Sequence, residues 1–251
     1  MKYRIGIIMI LWLLTACQQQ EKKAARDSYT AKYIRIDSAM AGQGDAELRN
    51  LIAPYKHRLD SAMGGIIAYT PKAYFKKRPN GTLNNIACDM VLDVIQKRYQ
   101  DSPFRPDFCM LNYGGLRSPL PKGAVTKSNI YQLMPFQNES VICRLSAKQM
   151  KELFDYIAHT GGEPLAGIRI YYKDKKFDHA IIGGQRYDKE KQYNVLTSDY
   201  TAKGGNHMDF FVQADTMIIC GSLLRDDMFA YIESLPDSNL VANEEERVIF
   251  E

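Results

Sequence analysis

Three short segments of the chain carry residue types that suit a ligand with a flat ring and an anionic group. Two of the segments contain adjacent glycines, which let the backbone turn tightly and approach a ligand closely. Arginine offers five donors in a fork that fits phosphate or carboxylate, and an aromatic ring offers a flat surface for stacking. The candidate contacts are Asn112, Gly115 and Arg117 in the first segment, Phe136 and Asn138 in the second, and Tyr200 and Asn206 in the third.

Predicted strands lead into two of these segments and would hold them in place. The runs 108–111 and 193–198 are rich in apolar residues and end where a candidate segment begins. Mixed strands and helices without strict βαβ alternation predict an α+β or layered α/β domain. The other predicted strands are 66–70, 141–145 and 247–250, a strand from 125 into a turn at 130–134, and a hairpin of 168–172 with 180–184; the predicted helices are 45–63, 82–95, 147–159 and 223–235.

The three segments together resemble the C-terminal domain of the 5′-nucleotidase family. The family's runs look like N-x-G-G-I-R, P-F-G-N and N-D-F/Y-x-A-x-G-G-D/N, and the matching runs occur here in the same order. Upstream, residues 83–89 resemble the family's L-G-N-L-x-A-D helix start. The resemblance covers roughly residues 60–250 and implies mixed sheets between helical layers, with a pocket for a nucleotide or nucleoside.

The resemblance implies a role for the arginine and for the two aromatic residues. Arg117 would hold the phosphate, where the alternative is a surface arginine that caps carbonyl groups after the turn. Phe136 and Tyr200 would sandwich the nucleobase between their rings, although an isolated aromatic residue more often belongs to a core. Base stacking tolerates different bases, so the base itself is not predicted.

The asparagines have implied roles as well, each with a structural alternative. Asn138 matches the family residue that contacts the base. Asn206 stands where many members carry an aspartate that binds ribose hydroxyls, and a neutral amide there would change sugar affinity or specificity. Stabilisation of a turn is an equal alternative for Asn206 and remains possible for Asn112.

Two further positions match the family less well. Gly161 or Gly162 matches a glycine that lets the backbone approach the ligand, and we assign Gly161 although the turn here is shorter than usual. Lys77 is the nearest match to an additional phosphate-binding arginine, while Ala73 stands where another arginine would be. A solvated lysine loop is the alternative for Lys77.

The sequence lacks the D-x-H and G-N-H-D/E motifs that characterise the metallophosphoesterase domain of full-length family members. Its four histidines show no mutual ligand spacing, so we predict no metal or other cofactor in this chain. The expected function is nucleotide or nucleoside binding, with divalent metals and catalysis supplied by a separate metallophosphoesterase chain. The alternatives are a nucleoside-binding lipoprotein for uptake or sensing, and an interaction module whose pocket has decayed.

The first 17 residues read as a targeting segment with a basic start, an apolar stretch and a lipobox-like run that ends at Cys17. Lipidation of Cys17 would anchor the chain to a membrane at the cell envelope, periplasmic or on the outer membrane. An ordinary signal peptide or an uncleaved anchor is the alternative. Residues 18–44 have the polar composition of a tether, and residues 45–251 would form the domain.

Composition indicates a globular protein with little net charge. The chain has 45% apolar and 25% charged residues and a formal charge of +4, which removal of Lys2 and Arg4 with the targeting segment would lower to +2. So small a charge predicts no broad surface for a nucleic-acid polymer. The remaining cysteines are expected to be buried free thiols, with a disulfide as the alternative: Cys88, Cys109, Cys143 and Cys220.

Overall fold

The structure is a computed structural model that describes residues 31–37, 40 and 44–251. The predicted targeting segment, with Cys17, and most of the predicted tether lie outside the described residues. Contacts within the chain divide it into two units with the boundary after Ile52. Every candidate ligand-binding residue belongs to the second unit.

Helix α1 spans Ala46–Met63, as the apolar periodicity predicted. The side chain of Asp45 accepts hydrogen bonds from the backbone N–H groups of Glu47 and Leu48, at 2.8 and 3.2 Å, and so caps the helix. No residue of α1 is buried. Its large apolar side chains recur at three- and four-residue steps, so they share one helix face, and each is at least half exposed: Leu48, Leu51, Ile52, Tyr55 and Leu59.

The domain continues with a small antiparallel sheet and the helix that carries much of the core. Strand β1, Ile66–Thr70, pairs with β3, Gly123–Thr126. Helix α2, Thr82–Arg98, lies between them in the chain and buries ten of its residues. Helix α3, Lys127–Leu133, begins at a capping box in which Thr126 and Asn129 bond each other's backbone, which fixes its start.

A five-stranded mixed sheet forms the centre of the domain. Its strand order is β10-β4-β9-β2-β5, with β2 parallel and β4 antiparallel to β9. The strand bounds are Phe108–Met110 for β2, Glu139–Leu145 for β4, Leu165–Ala166 for β5, Tyr193–Ser198 for β9 and Thr216–Leu223 for β10.

The two faces of the central sheet belong to different apolar cores. Ile142 and Leu196 pack with α2 and with helix α7, Leu224–Glu233. Val141 and Val195 instead pack with helix α4, Ala147–Thr160, and helix α6, Asp209–Val212, because successive strand residues point to opposite faces. A four-stranded sheet of order β11-β6-β7-β8 completes the second core. Its strand bounds are Ile168–Lys173 for β6, Lys176–Ile182 for β7, Gln185–Arg186 for β8 and Val248–Phe250 for β11.

The layered arrangement of sheets and helices confirms the predicted fold class. Strand β10 was not predicted, although its sequence contains the apolar run 217–220; its side chains alternate only between half-buried and exposed. Helix α3 begins at Lys127 rather than at the predicted turn at 130. None of the helices within the described residues is both long and apolar enough to cross a membrane.

Candidate functional site

One cavity of about 340 Å³ collects most of the residues that the sequence singled out. Its volume falls in the range of roughly 300–1,000 Å³ that small-molecule sites occupy. Seven predicted residues line it together with Gly114, although they come from three separate segments of the chain: Asn112, Gly115, Arg117, Phe136, Asn138, Tyr200 and Asn206.

The first wall of the cavity is a tight turn that follows strand β2. A single 3-10 turn, Tyr113–Gly115, is closed by a hydrogen bond from the Gly115 N–H to the Asn112 carbonyl at 2.9 Å. A side chain on Gly115 could not be accommodated, because its Cβ would lie 2.8 Å from the Asn112 Oδ1. The glycine therefore makes room for the Asn112 amide at the cavity.

Arg117 follows this turn with its guanidinium largely free. Its backbone N–H donates to the Leu133 carbonyl at 2.9 Å, which fixes the main chain. Its Nη1 donates to the Gly114 carbonyl at 3.3 Å, and within residues 44–251 it makes no ion pair. An exposed arginine without a carboxylate partner remains available to an anionic ligand.

Two more cations lie beside this wall. Lys76 and Arg117 share a small hollow of about 100 Å³ next to the cavity. The Lys76 Nζ and the Arg78 Cζ each lie 4.5 Å from the centre of the Tyr113 ring. Burial lowers the pKa of Lys76, and the positive charges of Arg117 and Arg78 lower it further, so the three cations lie close enough to repel.

A buried carboxylate holds this basic region together. Glu163 is 3% exposed and contacts Arg78 Nη2 through Oε1 at 2.5 Å. Its Oε2 accepts the Tyr113 backbone N–H at 2.6 Å. Burial raises the pKa of Glu163, while the hydrogen bond from Tyr113 and the charge of Arg78 oppose that rise. Glu163 therefore connects the Arg78 loop to the turn that carries Asn112.

Phe136 belongs to the loop between α3 and β4, and a buried arginine supports that loop. Arg225 is 7% exposed, and its Nη1 donates to the carbonyls of Met134 and Phe136 at 3.1 and 3.4 Å. Its guanidinium carbon lies 4.2 Å from the centre of the Tyr131 ring. The loop is closed by the Leu224 N–H, which donates to the carbonyl of Asn138 at 2.9 Å.

Tyr200 lies on helix α5, Asp199–Ala202, directly after strand β9. Ser198 caps this short helix by accepting the Thr201 N–H at 3.1 Å. The Tyr200 ring lies against Gly205, where a Cβ would stand 2.5 to 2.6 Å from three ring carbons. The second glycine pair thus provides the space in which the ring rests. Phe136 and Tyr200 remain 44% and 46% exposed, as ligand-contacting rings require.

Asn206 is fixed through its backbone and its side chain. Its backbone is left-handed, with φ 58° and ψ 26°, a conformation that asparagine tolerates better than most residues. The Tyr156 hydroxyl donates to its carbonyl at 2.9 Å, and the Asn112 Nδ2 donates to its Oδ1 at 2.9 Å. Burial raises the pKa of Tyr156 to about 12, so this hydroxyl stays protonated near neutral pH. The first and third segments therefore meet at an asparagine pair.

The remaining two predicted contacts do not join this group. Gly161 ends helix α4 in a left-handed conformation and lines a larger, open groove of about 900 Å³ with Lys151, Lys176 and Phe177. Lys77 is exposed, and its backbone carbonyl accepts from the Asn84 Nδ2 at 2.9 Å. The smaller cavity is the better candidate site, because it combines two half-exposed rings with an unpaired arginine and amides.

Sequence reasoning missed the residues that support the cavity from behind. Lys76, Glu163 and Arg225 belong to no motif, and Tyr156 lies in the middle of a helical pattern. Glu163 offered one usable signal, since a carboxylate among glycine, proline and apolar residues has few nearby partners. Arg225 offered none, because an arginine in the first turn of a helix usually faces solvent.

The described residues also lack a metal centre. No group of three or more histidine, cysteine, aspartate or glutamate side chains within them is arranged to hold a metal ion. Cys88, Cys109 and Cys143 are buried free thiols, as expected, whereas Cys220 on β10 is only partly buried.

The fold agrees with comparisons to known proteins. The model of the 5′-nucleotidase C-terminal domain family matches residues 66–213, which is more than half of the chain. Protein UshA of Escherichia coli is 27% identical over 105 residues, which cover 40% of this chain and 19% of UshA. The human 5′-nucleotidase is 27% identical over 148 residues, which cover 49% of this chain and 26% of that protein.

A solved structure supports the same fold. The 5′-nucleotidase precursor of Thermus thermophilus superposes with a TM-score of 0.68 at 19% identity, over 80% of this chain and 42% of that chain. The chain described here belongs to the 5′-nucleotidase C-terminal domain family. It spans about a fifth to a quarter of the length of these two curated relatives.

Proposed function

We propose that this chain binds a nucleotide or nucleoside in the cavity between the three candidate segments. The observation that carries the proposal is the meeting of two half-exposed rings, an unpaired arginine and three amides around one space of about 340 Å³. A ring-bearing anion matches this set, because stacking, a charge-assisted contact and hydrogen bonds to polar edges would each find a partner. Membership of the family supports the same ligand class.

We assign to these residues the roles that the resemblance to the family implies. Phe136 and Tyr200 would hold the base, and Asn138 would contact its polar edge. Arg117 would hold the phosphate. Asn112 and Asn206, which are bonded to each other, would face the sugar.

Lys76 is a better candidate for a second phosphate contact than Lys77. It shares the hollow beside the cavity with Arg117, and it has no carboxylate partner within the described residues. Arg78 is paired with Glu163 and would contribute through its long-range charge.

Phosphate release would need a second chain under this proposal. The described residues do not provide a metal centre, so a separate metallophosphoesterase with divalent metals would supply catalysis, as part of nucleotide breakdown or salvage. The exposed apolar face of α1 supports the existence of a partner, since surface helices normally bury such a face. This helix ends just before the family match begins at residue 66.

The proposed location is the cell envelope, with the chain anchored by lipid on Cys17. The supporting observation is the lipobox-like run in the sequence. Metabolic labelling with a radioactive fatty acid tests this, with Cys17→Ser as the matched variant. Equal labelling of both proteins would overturn the anchor.

Calorimetric titration with AMP and adenosine tests the binding proposal, using the purified protein and a Phe136→Ala/Tyr200→Ala variant. We expect the parent to bind both ligands and the variant to lose at least about thirtyfold in affinity, because stacking contributes roughly 1–3 kcal/mol per ring. Tyr200→Phe is the matched control and should keep the parent's affinity, since it retains the ring. A parent that binds neither ligand would overturn the proposal.

A further inference from the structure

The asparagine pair at the junction of the first and third segments bears on which sugar the cavity accepts. Asn112 is 8% exposed and donates through Nδ2 to Oδ1 of Asn206 at 2.9 Å, and both residues line the cavity. The backbone of Asn206 is held by the Tyr156 hydroxyl, which donates to its main-chain carbonyl at 2.9 Å. Its side-chain amide is held by the bond from Asn112.

An asparagine side chain carries one acceptor oxygen and two N–H donors, and it is neutral. The Oδ1 of Asn206 already accepts a hydrogen bond from Asn112, which leaves one lone pair of that oxygen and the neutral Nδ2 donors for a ligand. Turning both amides over would preserve the bond with the roles exchanged, and the pair would still carry no charge. In both arrangements Asn206 is neutral, so it offers the sugar hydroxyls no charged acceptor.

The rest of the lining offers no substitute for such a group. The cavity is lined by two aromatic residues, two glycines, three asparagines and Arg117, so it contains no carboxylate among its lining residues. The nearby Asp199 is occupied: it accepts the Glu139 N–H at 3.1 Å and pairs with Lys203 at 2.8 Å. Neighbouring hydroxyls on a sugar are bound most strongly by an ionised carboxylate, since charge-assisted hydrogen bonds are roughly twice as strong as neutral ones.

We propose that Asn206 makes the cavity nearly indifferent to the sugar hydroxyls, so that it takes ribonucleotides and deoxyribonucleotides with similar affinity. This inference rests on the proposed function, because it assumes that a nucleotide occupies the cavity. Asn206 is then the residue that determines sugar selectivity, and its effect is to admit both ribose and deoxyribose.

The test compares the dissociation constants of AMP, 2′-deoxy-AMP and 3′-deoxy-AMP for the parent protein and for Asn206→Asp. For the parent we expect the three constants to agree within about threefold, as neutral hydrogen bonds that water can replace contribute little net. In Asn206→Asp one carboxylate oxygen would keep the bond from Asn112 and the other would accept a sugar hydroxyl. AMP should then be favoured by about tenfold or more over at least one deoxy isomer.

The outcomes separate this inference from the function on which it rests. A parent that prefers AMP by about tenfold or more would overturn the inference while leaving nucleotide binding intact. The inference would also be overturned if Asn206→Asp showed the same ratios of dissociation constants as the parent. A parent that binds none of the three nucleotides would overturn the proposed function itself. The parent's ratios are measured without any variant, so the inference stays falsifiable even if Asn206→Asp does not fold. We expect the variant to fold, because asparagine and aspartate both tolerate the left-handed backbone.

Discussion

The two sides of the cavity are held in place by buried groups of opposite charge. On the anion side, the carboxylate of Glu163 accepts the Tyr113 N–H and pairs with Arg78. On the ring side, the guanidinium of Arg225 donates to the carbonyls of Met134 and Phe136. The carboxylate accepts a backbone N–H, and the guanidinium donates to backbone C=O groups. The charge of each buried group therefore suits the backbone group that it binds.

The comparison shows that the charge of a buried support need not match the charge that the site requires. Glu163 is negative, although it lies behind a region that we assign to an anion, and it pairs with Arg78, one of the two cations that repel Lys76. Arg225 is positive behind a region that we assign to an uncharged base. If each side acts separately, changes on the anion side should affect only phosphorylated ligands, and changes on the ring side should affect all of them.

Arg117→Met should show the largest separation. We expect AMP affinity to fall by roughly 10- to 150-fold, since a hydrogen bond to a charged group contributes about 1.5–3 kcal/mol. Adenosine should bind as it does to the parent, because it lacks the phosphate. Calorimetric titration checks both values, with the exposed Lys122→Met as a control that removes the same charge elsewhere. An equal loss for adenosine would break the division into two sides.

Arg225→Met should affect both ligands alike. Loss of its donors would release the Phe136 loop, and we expect AMP and adenosine to weaken by about three- to tenfold each. The free energy of unfolding should fall by about 1–3 kcal/mol, because the buried Met134 carbonyl and the partly buried Phe136 carbonyl lose a charged donor. Chemical denaturation and titration measure these changes, with the exposed Arg186→Met as the matched control. A loss confined to AMP would contradict the assignment of this side to the base.

Gly205→Ala should move the Tyr200 ring without removing it. The new methyl group would stand 2.5 to 2.6 Å from ring carbons, so the half-exposed ring must swing away. We expect both ligands to weaken by about two- to fivefold, with little change in thermal stability. Gly65→Ala is the control, since a Cβ there meets nothing within 4 Å. Unchanged titrations in Gly205→Ala would argue against stacking on Tyr200.

Glu163→Gln should change how stability depends on pH. The pKa of Glu163 in the folded state lies above its ordinary value of 4.5, so the folded protein retains this proton to a higher pH than the unfolded chain. The stability of the parent relative to Glu163→Gln should therefore fall as the pH rises from 4.5 through the raised pKa. Denaturation at several pH values tests the direction, with the exposed Glu190→Gln as control. A difference that grows in the opposite sense would mean that the ion pair with Arg78 outweighs burial.

The sequence predicted the fold well wherever burial repeats with a regular period. Helix α4 and strand β6 appear close to their predicted bounds, because their buried residues recur at helical or alternating spacing. Strand β7 starts at Lys176 instead of the predicted 180 and ends at Ile182, because the left-handed Gly183 and Gly184 form the turn that follows it. Strand β10 is an exception: its exposure also alternates, but only between half-buried and exposed residues at the edge of the sheet, and it was not predicted. Helix α3 began earlier than expected because Asn129 completes a capping box with Thr126.

The candidate site was predictable where ligand-contacting residues lie in short motifs. Arg117, Phe136 and Tyr200 each follow a recognisable run, and the structure brings them to one cavity. The supports were not predictable, since Glu163 acts on Tyr113 from 50 residues away and Arg225 acts on Phe136 from 89. Such contacts depend on tertiary packing and leave no local pattern. The ligand roles of the motif residues stay predictions until the titrations are made.

The cavity is assembled from residues 112–117, 136–138 and 200–206, and this origin links ligand binding to folding of the domain. A ligand that requires all three segments binds only the folded chain, so it shifts the folding equilibrium by mass action. At a ligand concentration of 100 times the dissociation constant, the gain is about 2.7 kcal/mol. A shift in the melting temperature can therefore rank candidate ligands before any activity is known.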